Sequence, residues 1–357
     1  MGLTTKIKPV VLEMININTV KFGIIGCGSI AAWHAKAIEM SINGILSGVA
    51  DGRKENAERF AKEHNVKCFN SIDEMLKSNE IDAVTICTPS GFHAEYALSA
   101  IKEGKHILVE KPLAITNEDC KKVIDAAKEK GVCAGVISQH RFKDAIQELK
   151  KFVSEGKLGK LITGDLLMKY YRSQEYYDSS NWRGTWALDG GSLMNQGIHG
   201  VDLLLYIMGP VKRVFGCINT LTHDIEAEDT SVATVEFQSG ALAVIQSTTS
   251  IYKGFPRSLT VSGTKGTVTV KADNISRCEI EGIDYELKPE KEVVNSFNDP
   301  KALDISGHAF QIQDFIDSII NKTAPKIPLE DGFRAVEVIN AVYLSSKTGT
   351  AVVLNQK

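Results

Sequence analysis

The chain has 357 residues, a length that predicts two domains at roughly 150 residues per domain. Hydrophobic residues make up 43% and charged residues 24%, with a formal net charge of -3, so fibrous, mainly disordered and nucleic-acid-binding classes are excluded. The uninterrupted apolar runs are too short to cross a bilayer, which excludes a membrane protein. We therefore expect an ordinary soluble protein whose partner is a small molecule or another protein.

The N-terminus and the cysteines indicate a compartment. Residues 1–19 contain an apolar stretch too short for a secretory signal, so we interpret them as an N-terminal arm or edge strand. The seven cysteines are odd in number and lack CxxC pairs. Free thiols in a reducing environment follow, and we expect a cytoplasmic protein. No linear group of His, Cys and carboxylates has metal-ligand spacing, so no metal is predicted.

Residues 20–140 alternate between strand-like and helix-like patterns. The strand-like segments are VKFGII, ILSGVAD, AVTICT, HILVE and VCAGVIS. Short apolar strands separated by amphipathic helices are typical of a parallel sheet with right-handed crossovers. This half is therefore predicted to be an α/β domain, a doubly wound Rossmann sheet that binds a dinucleotide.

The pattern changes near residue 140, and residues 141–357 favour longer strands. SVATVEFQ, ALAVIQSTTSI, SLTVSG and GTVTVKA alternate in period two and predict a mainly antiparallel open sheet. Two late helices, at about 308–321 and 329–347, complete an α+β domain for substrate binding and oligomerisation. Because the helices can cover only one face, the other should meet a second subunit in a homodimer or homotetramer. Val232, Val244 and Val261 are candidate residues on that open face.

A glycine-rich turn lies between the first strand and the first helix. The string FGIIGCGSIAAWHA contains Gly26, Gly28 and Ala31 as G-x-G-x-x-A, and Ser29 and Ile30 open the helix. Such glycines let the backbone turn tightly and approach a pyrophosphate at the helix N-terminus. The position between strand and helix favours dinucleotide binding over a plain tight turn.

Asp51 ends the second strand, 25 residues beyond Gly26. A carboxylate there accepts hydrogen bonds from the ribose 2′-OH of NAD and repels a 2′-phosphate. The alternative is an aspartate that caps the following helix. Arg53 keeps NADP open as the cofactor, because a guanidinium can pair with the extra phosphate.

Two further strand ends carry a family resemblance. Thr88-Pro89-Ser90 with His93 follows one strand, and Glu110-Lys111-Pro112 follows the next. The segments GCGSIA, CTPSGFH and VEKPLA, in that order and spacing, resemble the Gfo/Idh/MocA family of NAD(P)-dependent sugar and cyclitol oxidoreductases. The resemblance runs from about residue 20 through Trp182-Arg183-Gly184 and GGSLMNQGIHGVDLL. It implies hydride transfer between NAD and a secondary hydroxyl of a sugar or sugar derivative.

The same resemblance implies two catalytic residues. Lys111 would lie beside the nicotinamide and the reacting carbinol, where its ammonium stabilises a developing alkoxide or relays the proton. His199 matches the second catalytic position, a general base. The segment 193–207 predicts one helix with Asn195, His199 and Asp202 on a common face.

Position 195 departs from one common version of the family pattern. Members resembling inositol dehydrogenases carry an aspartate four residues before the histidine, where this sequence has Asn195. A neutral amide cannot raise the basicity of His199 as a carboxylate would, which disfavours a cyclitol substrate. The string YYRSQEYYDSSNWRGTWALDGGSLMNQGIH instead resembles members acting on nucleotide-linked amino sugar acids, of the UDP-N-acetyl-glucosaminuronate 3-dehydrogenase kind.

The remaining site predictions follow from the motifs and the resemblance. On the cofactor side we expect Gly26, Gly28, Ser29, Ile30, Asp51, Arg53, Thr88, Pro89, His93, Glu110, Lys111, Gln139, Trp182 and Arg183. On the substrate side we expect Lys111, Arg172, Tyr176, Asn195, His199 and His308, with Tyr177 as a further contact. Two alternatives stay open: an NAD-retaining glycosidase or epimerase with a transient hydride step, and a non-catalytic protein that senses NAD or a sugar.

Overall fold

The computed structural model describes residues 19–289, 295–299 and 304–354. The N-terminal arm predicted for residues 1–19 lies outside these ranges, apart from Thr19. Within the ranges, no helix combines the length and the apolar character needed to cross a bilayer. Two sheets, one parallel and one mainly antiparallel, organise the described residues.

The first half forms the predicted six-stranded parallel sheet. Its strands are β1 (Val20–Ile25), β2 (Gly44–Ala50), β3 (Lys67–Cys68), β4 (Ala83–Ile86), β5 (His106–Val109) and β6 (Ala134–Val136). Its helices are α1 (Ser29–Glu39), α2 (Lys54–His64), α3 (Ile72–Lys77), α4 (His93–Lys102) and α5 (Asn117–Lys130). The strand order is β3-β2-β1-β4-β5-β6, so the Rossmann prediction is confirmed.

Local sequence explains why these elements form where they do. Phe22, Ile24 and Ile25 are fully buried, as a strand covered on both faces requires. Helix α5 begins after Thr116, whose hydroxyl accepts a hydrogen bond from the Asp119 backbone amide, and it ends at Gly131 in the left-handed conformation. The strand order reverses between β1 and β4, which opens a crevice at the carboxyl ends of these strands.

The second half forms an eight-stranded sheet. Its strands are β7 (Leu161–Lys169), β8 (Val211–Asn219), β9 (Thr230–Phe237), β10 (Leu242–Thr248), β11 (Ser258–Gly263), β12 (Gly266–Lys271), β13 (Asn274–Ile280) and β14 (Val352–Val353). Its helices are α6 (Asp144–Ser154), α7 (Gln174–Asp178), α8 (Ile198–Met208), α9 (Ser306–Asn321) and α10 (Leu329–Thr348). The order is β13-β12-β11-β7-β10-β9-β8-β14, and β7 pairs with β10 in parallel while the other pairs are antiparallel.

Two contacts fasten the halves together. Helix α9 packs back against α1 and β1, and the ring of Phe315 lies 6.4 Å from that of Phe22. The buried Arg141 guanidinium donates to both carboxylate oxygens of Asp202, at 2.9 and 2.6 Å, and to Asp331 at 2.5 Å. Because Asp202 lies on α8, this ion cluster fixes α8 against the parallel sheet.

Helices α8 and α10 pack on one face of the eight-stranded sheet, and the outer face carries exposed apolar side chains. Phe215 is 43% exposed and Val232 is 45% exposed on that face. The prediction for Val261 is wrong: this residue is fully buried, because it shares the helix-covered face with its strand neighbour Leu259. A two-residue period fixes which residues share a face but not which face is open.

We expect this outer face to join two copies of the chain. Sedimentation velocity at micromolar concentration should show a dimer or a larger assembly, because exposed apolar side chains on a sheet face gain free energy when covered. Val232→Glu should shift the distribution toward monomer. Ile42→Glu, at a 71% exposed apolar residue next to the parallel sheet, is the control and should leave it unchanged. A monomeric unmodified protein would remove the idea.

Candidate active site

A single cleft of about 1320 Å³ holds the residues that the sequence predicted for the site. It begins at the carboxyl ends of β1, β2, β4 and β5 and extends across to the turns of the second sheet. Every residue predicted above for the cofactor side and the substrate side, other than the further contact Tyr177, lines it. The further contact expected at Tyr177 is wrong: its ring is buried in the core and its hydroxyl lies 2.8 Å from Thr249 Oγ1.

The glycine-rich turn forms one end of the cleft. Gly26 has φ +90, and a Cβ there would lie 2.8 Å from the Thr88 backbone nitrogen, so only glycine fits. A Cβ on Gly28 would meet nothing within 4 Å, which leaves open space above the start of α1. Helix α1 has no side-chain cap, so its N-terminus faces this space with Ser29 and Ile30. Such a cradle suits a pyrophosphate.

Asp51 follows β2 and faces the same end of the cleft. Its carboxylate accepts hydrogen bonds from the backbone amides of Cys27 and Arg53, both at 2.7 Å. The alternative of a helix cap is wrong, because α2 begins at Lys54 with Arg53 in the capping position. A carboxylate has about four lone-pair positions, so acceptors remain for ribose hydroxyls. Arg53 is exposed at the rim.

The ends of β4 and β6 offer unsatisfied polar atoms. Thr88 Oγ1 and Gln139 Oε1 are buried without a hydrogen-bond partner in the described chain, and both residues line the cleft. A polar ligand in the cleft would satisfy them. His93 differs, because its ring nitrogens lie 2.6 Å from the Pro112 carbonyl and 2.9 Å from the Thr88 carbonyl. It therefore braces two loops and offers no free nitrogen to a cofactor.

Lys111 lies at the junction of the two halves. Its Nζ donates to the backbone oxygen of Asn195 at 2.9 Å and to Asn195 Oδ1 at 3.4 Å. Burial lowers the pKa of Lys111, while the charges of Glu110 and Asp189 oppose that shift. The peptide bond to Pro112 is cis. Lys111 is therefore an ammonium held by oxygen acceptors at the centre of the cleft.

Glu110 does not contact the Lys111 ammonium. Its Oε2 accepts a hydrogen bond from the Lys111 backbone amide at 3.0 Å, and its Oε1 lies 2.9 Å from His34 Nε2 and 3.6 Å from His308 Nε2. Burial raises the Glu110 pKa, but hydrogen bonds from the two imidazoles dominate and hold it well below its usual range. The sequence pointed to His308 as a substrate contact, whereas its nearest charged partner is Glu110.

The cluster of His34, Glu110 and His308 has metal-ligand spacing, which linear spacing did not indicate. The Nδ1 atoms of both histidines have no hydrogen-bond partner among the described residues. Histidines that ligate metals almost always donate from their second nitrogen. The unpartnered Nδ1 atoms of His34 and His308 lack that donation, and the absence of a metal stays a prediction.

The predicted helix over 193–207 begins differently. Residues Leu193–Gly197 form one wider π-helical turn before α8 starts at Ile198. The Asn195 side chain faces Lys111, Gln196 and Asp189. The expectation that residue 195 tunes His199 directly is thus not supported by these contacts. A π-helical turn of this kind is frequent at functional sites.

His199 lies edge-on to His140, with ring centroids 5.0 Å apart. Burial, followed by the charge of Lys111 and the proximity of His140, holds the His199 pKa well below its ordinary value. The imidazole is therefore neutral at neutral pH and can accept a proton. Asp202, predicted on the same face, is taken up by Arg141.

The sequence did not predict some of the residues that line the cleft. Arg257 and Asp273 line the cleft, form an ion pair, and place Asp273 Oδ2 3.7 Å from His140 Nδ1. Asp273 lies in the left-handed turn between β12 and β13, with φ +64. No motif connects Arg257 with Asp273, which lie 16 positions apart and are brought together by the pairing of β11 with β12. For His140, its position directly after Gln139 was the one available signal.

Two arginines form the substrate end of the cleft. Arg172 is 3% exposed and donates to the carbonyls of Tyr171, Ser296 and Phe297 and to Gln196 Oε1. The Arg183 guanidinium donates to the Tyr176 hydroxyl at 2.6 Å and stacks on the rings of Tyr176 and Trp182. None of these partners is negatively charged, so both cations are available to an anion.

Comparison with protein families identifies both halves of the chain. Residues 20–138 match the model described as an oxidoreductase family with an NAD-binding Rossmann fold, and residues 146–269 match the GFO/IDH/MocA C-terminal domain. The chain belongs to the Gfo/Idh/MocA oxidoreductase family. Several related members are dehydrogenases of sugars or inositols, and the chain is an NAD(P)-dependent oxidoreductase of sugars or related CH–OH compounds.

Several relatives within the family cover nearly the whole chain. The WlbA dehydrogenase from Bordetella pertussis, solved with NADH and UDP-GlcNAcA, is 31% identical, with a TM-score of 0.85 over 95% of this chain and 100% of that one. The WlbA dehydrogenase from Chromobacterium violaceum, solved with the same two ligands, is 30% identical, with a TM-score of 0.85 over 98% and 100%. The scyllo-inositol 2-dehydrogenase (NAD(+)) of Bacillus subtilis is 26% identical over 95% of this chain and 97% of its own length.

The cleft fits the dinucleotide that the Gfo/Idh/MocA family uses. The open space beside Gly28 accommodates a pyrophosphate, and the unsatisfied Thr88 and Gln139 oxygens suit the polar groups further along. Asp51 and Arg53 would then face the adenosine ribose, with Pro89, Trp182 and Arg183 lining the opposite end. A relative from Bacillus subtilis uses NADP, so cofactor choice within the family depends on individual residues.

We expect Asp51 to set this choice in favour of NAD. Fluorescence titration should give a dissociation constant at least tenfold lower for NADH than for NADPH, about 1.4 kcal/mol, because the carboxylate repels a 2′-phosphate. Asp51→Ala should erode the preference, while Asp73→Ala, at an exposed carboxylate on α3, should not. Tenfold tighter binding of NADPH by the unmodified protein would show that Arg53 governs the site.

Proposed function

We propose that the chain oxidises a secondary hydroxyl of a nucleotide-linked amino sugar acid of the UDP-GlcNAcA kind, with NAD as the oxidant. The observation that carries this proposal is the charge of the substrate end of the cleft. Lys111, Arg172 and Arg183 all line it, and their partners described above are backbone carbonyls, amides and a phenol. Three cations whose hydrogen-bond partners are all neutral groups favour an anionic substrate over a neutral cyclitol.

The solved relatives support the same substrate class. Two structures at 31% and 30% identity, each aligned over their full length, contain UDP-GlcNAcA beside NADH. The carboxylate and the diphosphate of such a molecule would complement the arginines. The Nε atoms of Arg172 and Arg183 both lack a hydrogen-bond partner in the described chain, and Arg172 is the better carboxylate partner because its guanidinium is the more deeply buried.

The chemistry follows from the residues around Lys111. Bound NAD supplies the acceptor for the hydride that leaves the carbinol carbon. The carbinol oxygen must lose its proton as the carbon is oxidised, and the neutral His199 imidazole is suited to accept it. The Lys111 ammonium stabilises the negative charge that develops on the same oxygen. Asn195, through its two oxygens, keeps that ammonium in place.

A substrate comparison tests the proposal. Enzyme at a concentration close to that of NAD is mixed with UDP-GlcNAcA, UDP-GlcNAc or scyllo-inositol, and the NADH absorbance is recorded. This design detects a single turnover when NADH stays bound, and NADH that persists separates a dehydrogenase from a transient hydride step. We expect UDP-GlcNAcA to react on the order of a hundredfold faster than UDP-GlcNAc, which lacks the carboxylate.

Two variants sharpen the comparison. Arg172→Met should lose most of the discrimination between the acid and UDP-GlcNAc, since it removes the buried guanidinium. Arg277→Met, at an exposed position on β13, is the matched control. Faster reaction with scyllo-inositol than with UDP-GlcNAcA would contradict the assignment of an acidic substrate while leaving the family membership intact.

A further inference from the structure

Asn195 connects the Lys111 ammonium with a buried carboxylate. Its Oδ1 faces Lys111 Nζ at 3.4 Å and accepts a hydrogen bond from Gln196 Nε2 at 2.9 Å. Its Nδ2 donates to Asp189 Oδ1. The other Asp189 oxygen accepts a hydrogen bond from the Gly184 backbone amide at 2.8 Å. The four groups form one chain of hydrogen bonds, from Gly184 through Asp189 and Asn195 to Lys111.

Asp189 is a core residue behind the wall of the cleft. It is 1% exposed and is not among the residues that line the cleft. The loop that carries it is tightly packed, because a Cβ on the next residue, Gly190, would lie 2.6 Å from Met194 Cβ. Burial raises the pKa of Asp189, while the hydrogen bonds from Gly184 and Asn195 and the charges of Arg183 and Lys111 favour its ionised form.

The direction of this hydrogen-bond chain is set by Asp189. An ionised carboxylate only accepts, so the Asn195 amide must present its NH₂ group to Asp189 and its oxygen to the other side. Lys111 as an ammonium only donates, and it therefore finds an acceptor. If residue 189 were an asparagine whose oxygen still bonded to Gly184, its NH₂ group would meet the Asn195 NH₂ group. Asn195 would then turn over and present a donor to the ammonium.

We propose that Asp189 is a positioning residue for hydride transfer: it fixes the Asn195 amide so that Lys111 is held by oxygen, and its charge reaches Lys111 through that amide. This inference rests on the proposed catalytic role of Lys111. Members resembling inositol dehydrogenases carry a carboxylate at the position of Asn195. In this chain the carboxylate belongs instead to Asp189, which is one hydrogen bond further from Lys111.

The charged surroundings of Lys111 define what the carboxylate does. Acidic groups that face it are Glu110 and Asp189, and the cationic or titratable groups are Arg172, Arg183, His93 and His199. Asp189 raises the pKa of Lys111 against the larger effect of burial. Removing its charge should therefore shift deprotonation of Lys111 to lower pH. A residue that merely filled space would not move this titration.

The test titrates Lys111 directly. Competitive labelling with acetic anhydride across pH, quantified by mass spectrometry of the peptide containing Lys111, reports its deprotonation without any substrate. Asp189→Asn should lower that midpoint and should slow turnover of UDP-GlcNAcA on the order of ten- to a hundredfold, the range for one hydrogen bond to a charged group. NADH binding should change little. Asp125→Asn, at an exposed carboxylate on α5, is the matched control.

An exchange of the two side chains provides the second test. Asp189→Asn combined with Asn195→Asp restores the pattern of donors and acceptors and moves the carboxylate against Lys111. The double variant should recover most of the turnover lost by Asp189→Asn and should raise the labelling midpoint above that of the unmodified protein. Asn195→Asp alone places two carboxylates in contact and should be the least stable of the three.

The outcomes distinguish a positioning role of Asp189 from a purely structural one. An unchanged midpoint and turnover within twofold in Asp189→Asn would overturn the inference. If Asp189→Asn does not fold, the exchange variant decides. A folded exchange variant that turns over UDP-GlcNAcA supports the inference, and a folded exchange variant without turnover overturns the inference. Failure of both to fold would assign Asp189 a purely structural role and also overturn it. Failure of the proposed function would differ, because the unmodified protein would then not oxidise UDP-GlcNAcA, whereas the labelling midpoint of Lys111 would still separate Asp189→Asn from the unmodified protein.

Discussion

Replacing Lys111 with methionine should reduce turnover by a factor on the order of 100 to 10,000, the range for losing one positioned acid or base. Methionine keeps a similar length and removes the ammonium that the Asn195 oxygens hold. The measurement is the single-turnover rate of NADH formation with UDP-GlcNAcA. NADH affinity should stay within a few fold, because the glycine turn and Asp51, which we expect to hold the dinucleotide, lie at the other end of the cleft.

A control separates chemistry from folding. Lys130→Met, at an exposed lysine in the last turn of α5, should leave both the rate and the NADH affinity unchanged. If Lys111→Met turned over at a near-normal rate, the Glu110-Lys111-Pro112 segment would be only a structural turn and the chemistry would lie elsewhere. A parallel loss of NADH binding would instead indicate that Lys111 holds the cofactor.

The sequence predicted that residues following several strand ends come together in one place. In a parallel sheet the carboxyl ends of all strands lie at one edge, so motifs after β1, β2, β4 and β5 must converge. The structure accordingly brings Gly28, Asp51, Thr88 and Lys111 to one cleft. This reasoning needs only the alternation of strand and helix, which periodicity reveals.

For other parts of the site, no motif within a single segment of the sequence predicts which residues come into contact. The carboxylate of Glu110 meets His34 from α1 and His308 from α9, residues separated by almost the whole chain. Arg257 and Asp273 meet through a hairpin whose position depends on sheet register. Such contacts depend on how the two halves pack, which no spacing within a segment encodes.

The error at position 195 has a specific cause. Helical spacing of 3.6 residues placed Asn195 one turn before His199 on the same face. The wider turn over Leu193–Gly197 changes that register, and the amide faces Lys111 and Asp189 instead. A π-helical turn depends on tertiary contacts, such as the hydrogen bonds that the Glu228 carboxylate accepts from the backbone amides of Ser192 and Leu193. Apolar periodicity in the sequence does not predict such contacts.

Replacing His199 with asparagine tests the proton acceptor. A base must be neutral to act, so the rate of the unmodified enzyme should rise with pH through the His199 pKa and level off above it. An unperturbed histidine has a pKa of about 6 to 7, with an ordinary value of 6.5. Because burial, Lys111 and His140 hold the His199 pKa well below that value, the rise in rate should occur at a pH below 6.5. His199→Asn should slow turnover on the order of 100- to 10,000-fold and abolish this rise.

The pH profile of a His140 variant and the turnover of a double variant test further whether His199 is the proton acceptor. Glu110, His140, Lys111 and Arg257 also face this imidazole, so His140→Asn is the comparison that shows whether the rise belongs to the neighbouring histidine. If Lys111 and His199 act on the same proton, Lys111→Met with His199→Asn should lose less than the product of the single losses. A profile that keeps its acid limb in His199→Asn would exclude this imidazole as the base, and the neutral amine form of Lys111 would then have to accept the proton.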